Sequence, residues 1–141
     1  MLKNIPHCIS PDLLKILMEM GHGDEIVIAD GNFPAASHAQ NLIRLDGLHI
    51  PEILEAILTL MPLDTYADSS VFYMMHGPEI AAPPIWSKYN EILQNTDNQI
   101  ATPTKLERFQ FYDQAKQAYA IIATSEQALY ANVILKKGVI T

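Results

Sequence analysis

Residues 21–31 read GHGDEIVIADG, and two side chains in this stretch suit proton transfer and ligand binding. His22 lies between Gly21 and Gly23, which have no side chains to screen its imidazole from a small ligand. Histidine gives and takes a proton near neutral pH. Asp30 closes an apolar run just before Gly31. In open α/β sheets, ligands collect at the carboxyl ends of strands. A carboxylate placed there binds hydroxyls or holds an imidazole in one tautomer. The plainer alternatives are a solvated turn histidine and an aspartate capping an Asp-Gly turn. Spacing sets His22 and Asp30 at opposite ends of one short strand, so a loop or another subunit must bring them together for any shared role.

Two further stretches carry useful groups. Glu107–Asp113 reads ERFQFYD, with Arg108 among aromatic residues. Tyr130-Ala131-Asn132 offers a hydroxyl and an amide, good ligands for a polyhydroxylated molecule. Other chemistries lack a pattern. His22, Asp24, Asp30 and His38 do not have metal-ligand spacing, and there is no His-Glu-x-x-His or cysteine pair. Gly21 and Gly23 follow a helix and precede a strand, the reverse of a phosphate-binding loop. Ser37 and Cys8 have no nucleophile signature around them.

The elements that must position these groups follow from periodicity. Ser10-Pro11 starts a helix, with serine as N-cap and proline at the first turn. Leu13, Leu14, Ile16, Leu17 and Met20 recur at helical spacing, and Gly21 is expected to end that helix. Glu25–Asp30 reads as a buried strand. Ile50-Pro51 opens a second helix, stopped by Pro62. Val71–Met75 is β-prone, Trp86–Leu93 helical, and Asn95–Pro103 polar and turn-rich. Phe109–Gln117 is a helix leading into a strand at Tyr119–Ala123, and Ala131–Leu135 is the last strand. Helices alternating with strands apolar on both faces predict an α/β fold: one three-layer α/β/α domain over residues 1–141, its central sheet covered by helices.

Composition narrows the class of partner. The 141 residues are 49% hydrophobic and 18% charged, enough apolar material for a core. Nine Lys+Arg stand against sixteen Asp+Glu, a net charge of −7. Lys136-Lys137 is the one basic pair, so neither nucleic acid nor an anionic membrane is an expected partner. No run is long enough to span a bilayer. Cys8 is the single thiol, and the amino-terminal residues lack a secretory pattern. The expectation is a cytoplasmic protein.

Taken together, the segments resemble the fucose mutarotase and ribose pyranase family. The likeness runs nearly end to end: MLKNIP, ISPDLLKIL, EMGHGDEIVIAD, FPA, IRLDGL, RFQFY, AKQAYAII and YANVILKKGV. The RFQFY segment and the Lys-Lys-Gly ending look like the fucose branch. The resemblance implies a ribose-pyranase-like fold with no metal or organic cofactor. It implies His22 as proton donor and Asp30, Arg108, Tyr130, Ala131 and Asn132 as substrate contacts. It also implies ring-like homo-oligomers, often decamers of two stacked pentamers, with sites where subunits meet. Three positions depart from the fucose-branch pattern: Asn32 stands where histidine is frequent, Thr124-Ser125-Glu126 replaces Thr-Gly-Glu, and Leu129 replaces a basic residue. Asn32 bears on substrate preference.

The activity so implied is interconversion of the α and β anomers of L-fucose or a related monosaccharide. His22 would protonate the ring oxygen, and Tyr130 or a water would relay the proton of the anomeric hydroxyl. The competing readings are a D-ribose pyranase, a non-catalytic monosaccharide-binding oligomer, and an unrelated nucleotide-binding α/β domain, which the missing strand–glycine loop–helix disfavours.

Overall fold

The computed structural model describes residues 1–78, 81–96 and 102–141. Its strands are β1 (Glu25–Ala29), β2 (Leu42–Leu45), β3 (Val71–Met74), β4 (Thr104–Leu106), β5 (Ala120–Thr124) and β6 (Val133–Lys136). Its helices are α1 (Pro11–Glu19), α2 (Ala35–His38), α3 (Ile50–Leu58), α4 (Pro84–Thr96) and α5 (Arg108–Gln117). The strands form one sheet in the order β2-β5-β1-β6-β3-β4.

The α/β architecture follows from alternation along the strands. In β1, Ile26 and Ile28 face one core with Leu13, Ile53, Leu54 and Tyr89, drawn from α1, α3 and α4. Val27 and Ala29 face the second core with Phe33, Phe111 and Ala115, on the side of α2 and α5. Successive side chains of a strand point to opposite faces, so central strands apolar at nearly every position are covered on both. Each Ile or Leu buried there contributes roughly 1.5–3 kcal/mol.

One pairing positions the functional residues. β1 runs parallel to β5, β5 to β2, and β3 to β4, whereas β6 is antiparallel to both β1 and β3. The β1–β6 register pairs Ile28 with Val133 and Glu25 with Lys136. The start of β6 therefore lies beside the end of β1, and the end of β6 beside the start of β1.

Local details refine the sequence reading. Ser10 Oγ accepts the Leu13 N–H at 3.1 Å, as the N-cap expectation requires. The end of α1 differs: extended Met20 is the C-cap, and the left-handed glycine is Gly23, at φ +86°. Lys137 Nζ instead closes α1, donating to the carbonyls of Leu17 and Met20, where a cation meets the negative end of the helix. The sequence reading leaves out α2, β2 and β4, of four, four and three residues. Elements that short show too few periods to recognise. Of the turn-rich Asn95–Pro103, Asn95 and Thr96 belong to α4, and residues 97–101 lie outside the described residues.

Candidate functional site

Asp30 and Asn132 form the centre of a cleft at the carboxyl end of β1. The Asn132 Oδ1 accepts the Asp30 N–H at 2.7 Å, and Asn132 Nδ2 donates to Asp30 Oδ2 at 3.0 Å. Antiparallel pairing of β6 with β1 makes this reciprocal contact across 102 residues of sequence. Asp30 Oδ1 also accepts the Asn32 N–H at 3.0 Å. Both residues are buried. Burial pushes the Asp30 carboxyl above its ordinary range, against the N–H groups of Asn32 and Phe33 and the Asn132 amide. Such a carboxylate gains from any further donor, and a ligand hydroxyl is one.

The cleft has a volume of about 220 Å³, lined by Asp30, Asn32, Met74, Arg108, Tyr130 and Asn132, with Phe33, Tyr112 and Leu129 around them. It lies outside the ends of β1, β3 and β4 and the beginning of β6, the side of an α/β sheet where ligands bind. Arg108 opens α5, whose N-terminal N–H groups at Phe109 and Gln110 are capped by Glu107. Its guanidinium donates to Tyr112 Oη at 3.3 Å and lies over the rings of Phe109 and Tyr112. These contacts leave most of its five donors for a ligand.

Tyr130 adopts a left-handed backbone, φ +55°, uncommon for a residue with a side chain. Two aromatic residues of α4 hold this turn: Trp86 Nε1 donates to the Tyr130 carbonyl at 2.9 Å, and Tyr89 Oη to the Ala131 carbonyl at 2.7 Å. Ala131 buries its methyl group in the core and meets the site through its backbone N–H, which faces Asp30.

His22 stands elsewhere. It lies before β1, and the five residues of β1 put roughly 13 Å between it and Asp30's end of the sheet. Its Nε2 is 3.0 Å from Asp64 Oδ1, and its ring meets that of Tyr66 edge-on at 5.5 Å. The His22 side chain remains 45% exposed. So the structure gathers Asp30, Arg108, Tyr130 and Asn132, and leaves His22 on another surface of the same chain.

Sequence reasoning missed Asp64, Trp86, Tyr89 and Tyr112. Each makes a hydrogen bond to a candidate residue or its neighbour, between positions 4 to 44 residues apart. Only Arg108–Tyr112 had a readable signal, the i,i+4 spacing on a helix. Among the described residues, no three His, Cys, Asp or Glu side chains converge as a metal site, and no helix is long and apolar enough to cross a membrane.

The chain is similar to known proteins over nearly its whole length. The model of the RbsD / FucU transport protein family matches residues 3–140. The fucose mutarotase of Mus musculus is 51% identical over 97% of this chain and 94% of its own. The crystal structure of the fucose mutarotase from Streptococcus pneumoniae, in complex with L-fucose, superposes with a TM-score of 0.94 at 56% identity, covering 99% of this chain and 100% of that one. Bacillus subtilis RbsD complexed with D-ribose gives a TM-score of 0.74 at 28% identity, covering 94% and 95%.

Proposed function

The chain belongs to the RbsD / FucU transport protein family, and on that premise we propose that it interconverts the α and β anomers of L-fucose. The observation that carries this reading is the cleft built on the Asp30–Asn132 pair, in a fold that matches a fucose mutarotase structure holding L-fucose. Asp30, Asn132 and Arg108 hold the sugar hydroxyls. Ring opening delivers a proton to the ring oxygen and removes one from the anomeric hydroxyl. The exposed carbonyl then turns its other face, and closure reverses both transfers. His22 supplies and recovers the ring-oxygen proton; Tyr130, directly or through water, carries the other. The sugar is neither oxidised nor reduced, and no external nucleophile is needed. General acid–base help of this kind contributes roughly 10²–10⁴ in rate.

His22 reaches the cleft from a neighbouring copy. Its surface and the Asp30 surface are different faces of the chain, so the contact joining them is head-to-tail, and such contacts form rings when the rotation between copies closes. Exposed apolar side chains support this: Leu129, in the cleft wall, is 68% exposed, and Met75, next in sequence to Met74 of that wall, is 47% exposed. We assign a ring of this kind, paired into a decamer. A single thiol, Cys8, fits action in the cytoplasm.

NMR magnetisation exchange between the anomeric protons of L-fucose tests the activity. Added protein should speed the exchange, with a smaller effect on the ring forms of D-ribose. Faster exchange of ribose alone would shift the substrate to the pentose. No effect on either sugar would leave a binding protein.

A further inference from the structure

The proposed reaction uses His22 and leaves its nearest partner without a role. Asp64 is only 7% exposed, and its Oδ1 accepts the Tyr66 N–H at 3.0 Å as well as facing His22 Nε2. Its backbone is fastened separately. The Asp64 N–H donates to the Lys136 carbonyl at 3.0 Å, and Leu63 bridges to Lys137. The histidine turn is tied to the same strand end, since the Gly23 N–H donates to the Lys137 carbonyl at 2.9 Å. Carboxylate and imidazole are thus carried by two loops anchored on one pair of residues. The Tyr66 ring meets the imidazole edge-on. The Tyr66 N–H, with a smaller contribution from His22, holds the Asp64 carboxyl below the usual carboxylate range in spite of its desolvation.

We infer that Asp64 is a positioning residue that keeps the His22 proton on Nε2 and so makes Nδ1 the nitrogen that exchanges protons with the sugar. A carboxylate only accepts hydrogen bonds. A tautomer with bare Nε2 would set a lone pair against the anion, whereas Nε2–H donates to it. The ring nitrogen opposite is then defined by this bond. In the imidazolium form Nδ1 carries the proton that passes to the ring oxygen. On closure Nδ1 takes it back. Nε2 keeps its hydrogen throughout, so the cycle has no net proton change. The inference rests on the role proposed for His22, but the tautomer itself is measurable without any sugar.

The test is solid-state NMR of protein labelled with ¹⁵N at histidine, with the His22 signals identified by their loss in His22→Ala. Wild type should show neutral His22 protonated at Nε2. Asp64→Asn keeps an oxygen for the Tyr66 N–H but adds an amide that donates. It should move His22 toward the Nδ1–H tautomer and slow L-fucose anomer exchange about tenfold or more, with KM within about twofold. A wild-type Nδ1–H tautomer would overturn the inference without reference to folding of any variant. Unchanged tautomer and rate in Asp64→Asn would overturn it too. If wild type shows Nε2–H but does not exchange the anomers, the proposed reaction falls, together with the role of Nδ1 in it.

Discussion

Two buried aspartates are shifted in opposite directions. Asp64 is held by the Tyr66 N–H below its ordinary value of 3.8. Its stabilising contribution is therefore fully present above that value, and is lost as pH falls through the lower native one. Asp30 is raised by burial, so its contribution is present below 3.8 and is lost as pH rises through the raised native value. Ionised Asp30 thus stands at some cost to the fold, in keeping with a group that waits for ligand donors. Denaturant unfolding checks the first sign: Asp64→Asn should be less stable than wild type at pH 7, and the gap should narrow steadily below pH 3.8. A second residue-scale prediction concerns His22. His22→Ala should lower anomer exchange by about 10²-fold or more. Its unfolding free energy should change by less than about 1 kcal/mol, because the ring is half-exposed. Residue types were the legible part of the site. An imidazole between glycines, a carboxylate after an apolar run and an amide beside a tyrosine all name their chemistry in sequence. Their holders do not, since nothing about Asp64 or Trp86 in one dimension says which carbonyl or ring it will meet.

At the scale of elements, the site depends on a turn and a strand end. Trp86 and Tyr89 both lie on α4 and hold consecutive carbonyls, of Tyr130 and Ala131. Tyr89→Phe leaves the Ala131 carbonyl without its partner at a fully buried position. The expected destabilisation is about 1–3 kcal/mol by chemical denaturation, with a raised KM for L-fucose as the Tyr130 turn loosens. Gly138 sets the other end. A Cβ there would stand within 2.9 Å of the Asp64 nitrogen and closer still to the Leu63 carbonyl. Gly138→Ala should cost about 1–3 kcal/mol of stability and displace Asp64 from His22, seen as slower exchange in the folded fraction. The long elements were legible because α1, α3, α4 and α5 show several helical periods and β1, β3, β5 and β6 are runs of mainly apolar residues. The reversed direction of β6 was not. Apolar runs buried on both faces read alike whichever way they pair, yet this reversal is what places Asn132 against Asp30.

At the scale of the whole molecule, one chain carries His22 and the Asp30 cleft on different faces. The sheet that holds Asp30 and Asn132 together is also what keeps His22 away from them. In the ring of head-to-tail contacts proposed above, each interface would join the His22 face of one copy to the cleft of the next. The distance was legible from sequence, because five strand residues separate the two ends, but the partner face was not. Mixing variants tests the arrangement most directly. His22→Ala and Arg108→Ala proteins, each of low activity alone, are unfolded together and refolded at equal concentration, and L-fucose anomer exchange is measured. With random assembly, half of the interfaces' histidines and half of their arginines are wild type, so about a quarter of the sites are complete. Recovery to about a quarter of wild-type exchange is the predicted result. Activity that stays at the level of the separate variants, in a mixture shown to have exchanged subunits, would contradict a site shared between neighbouring copies.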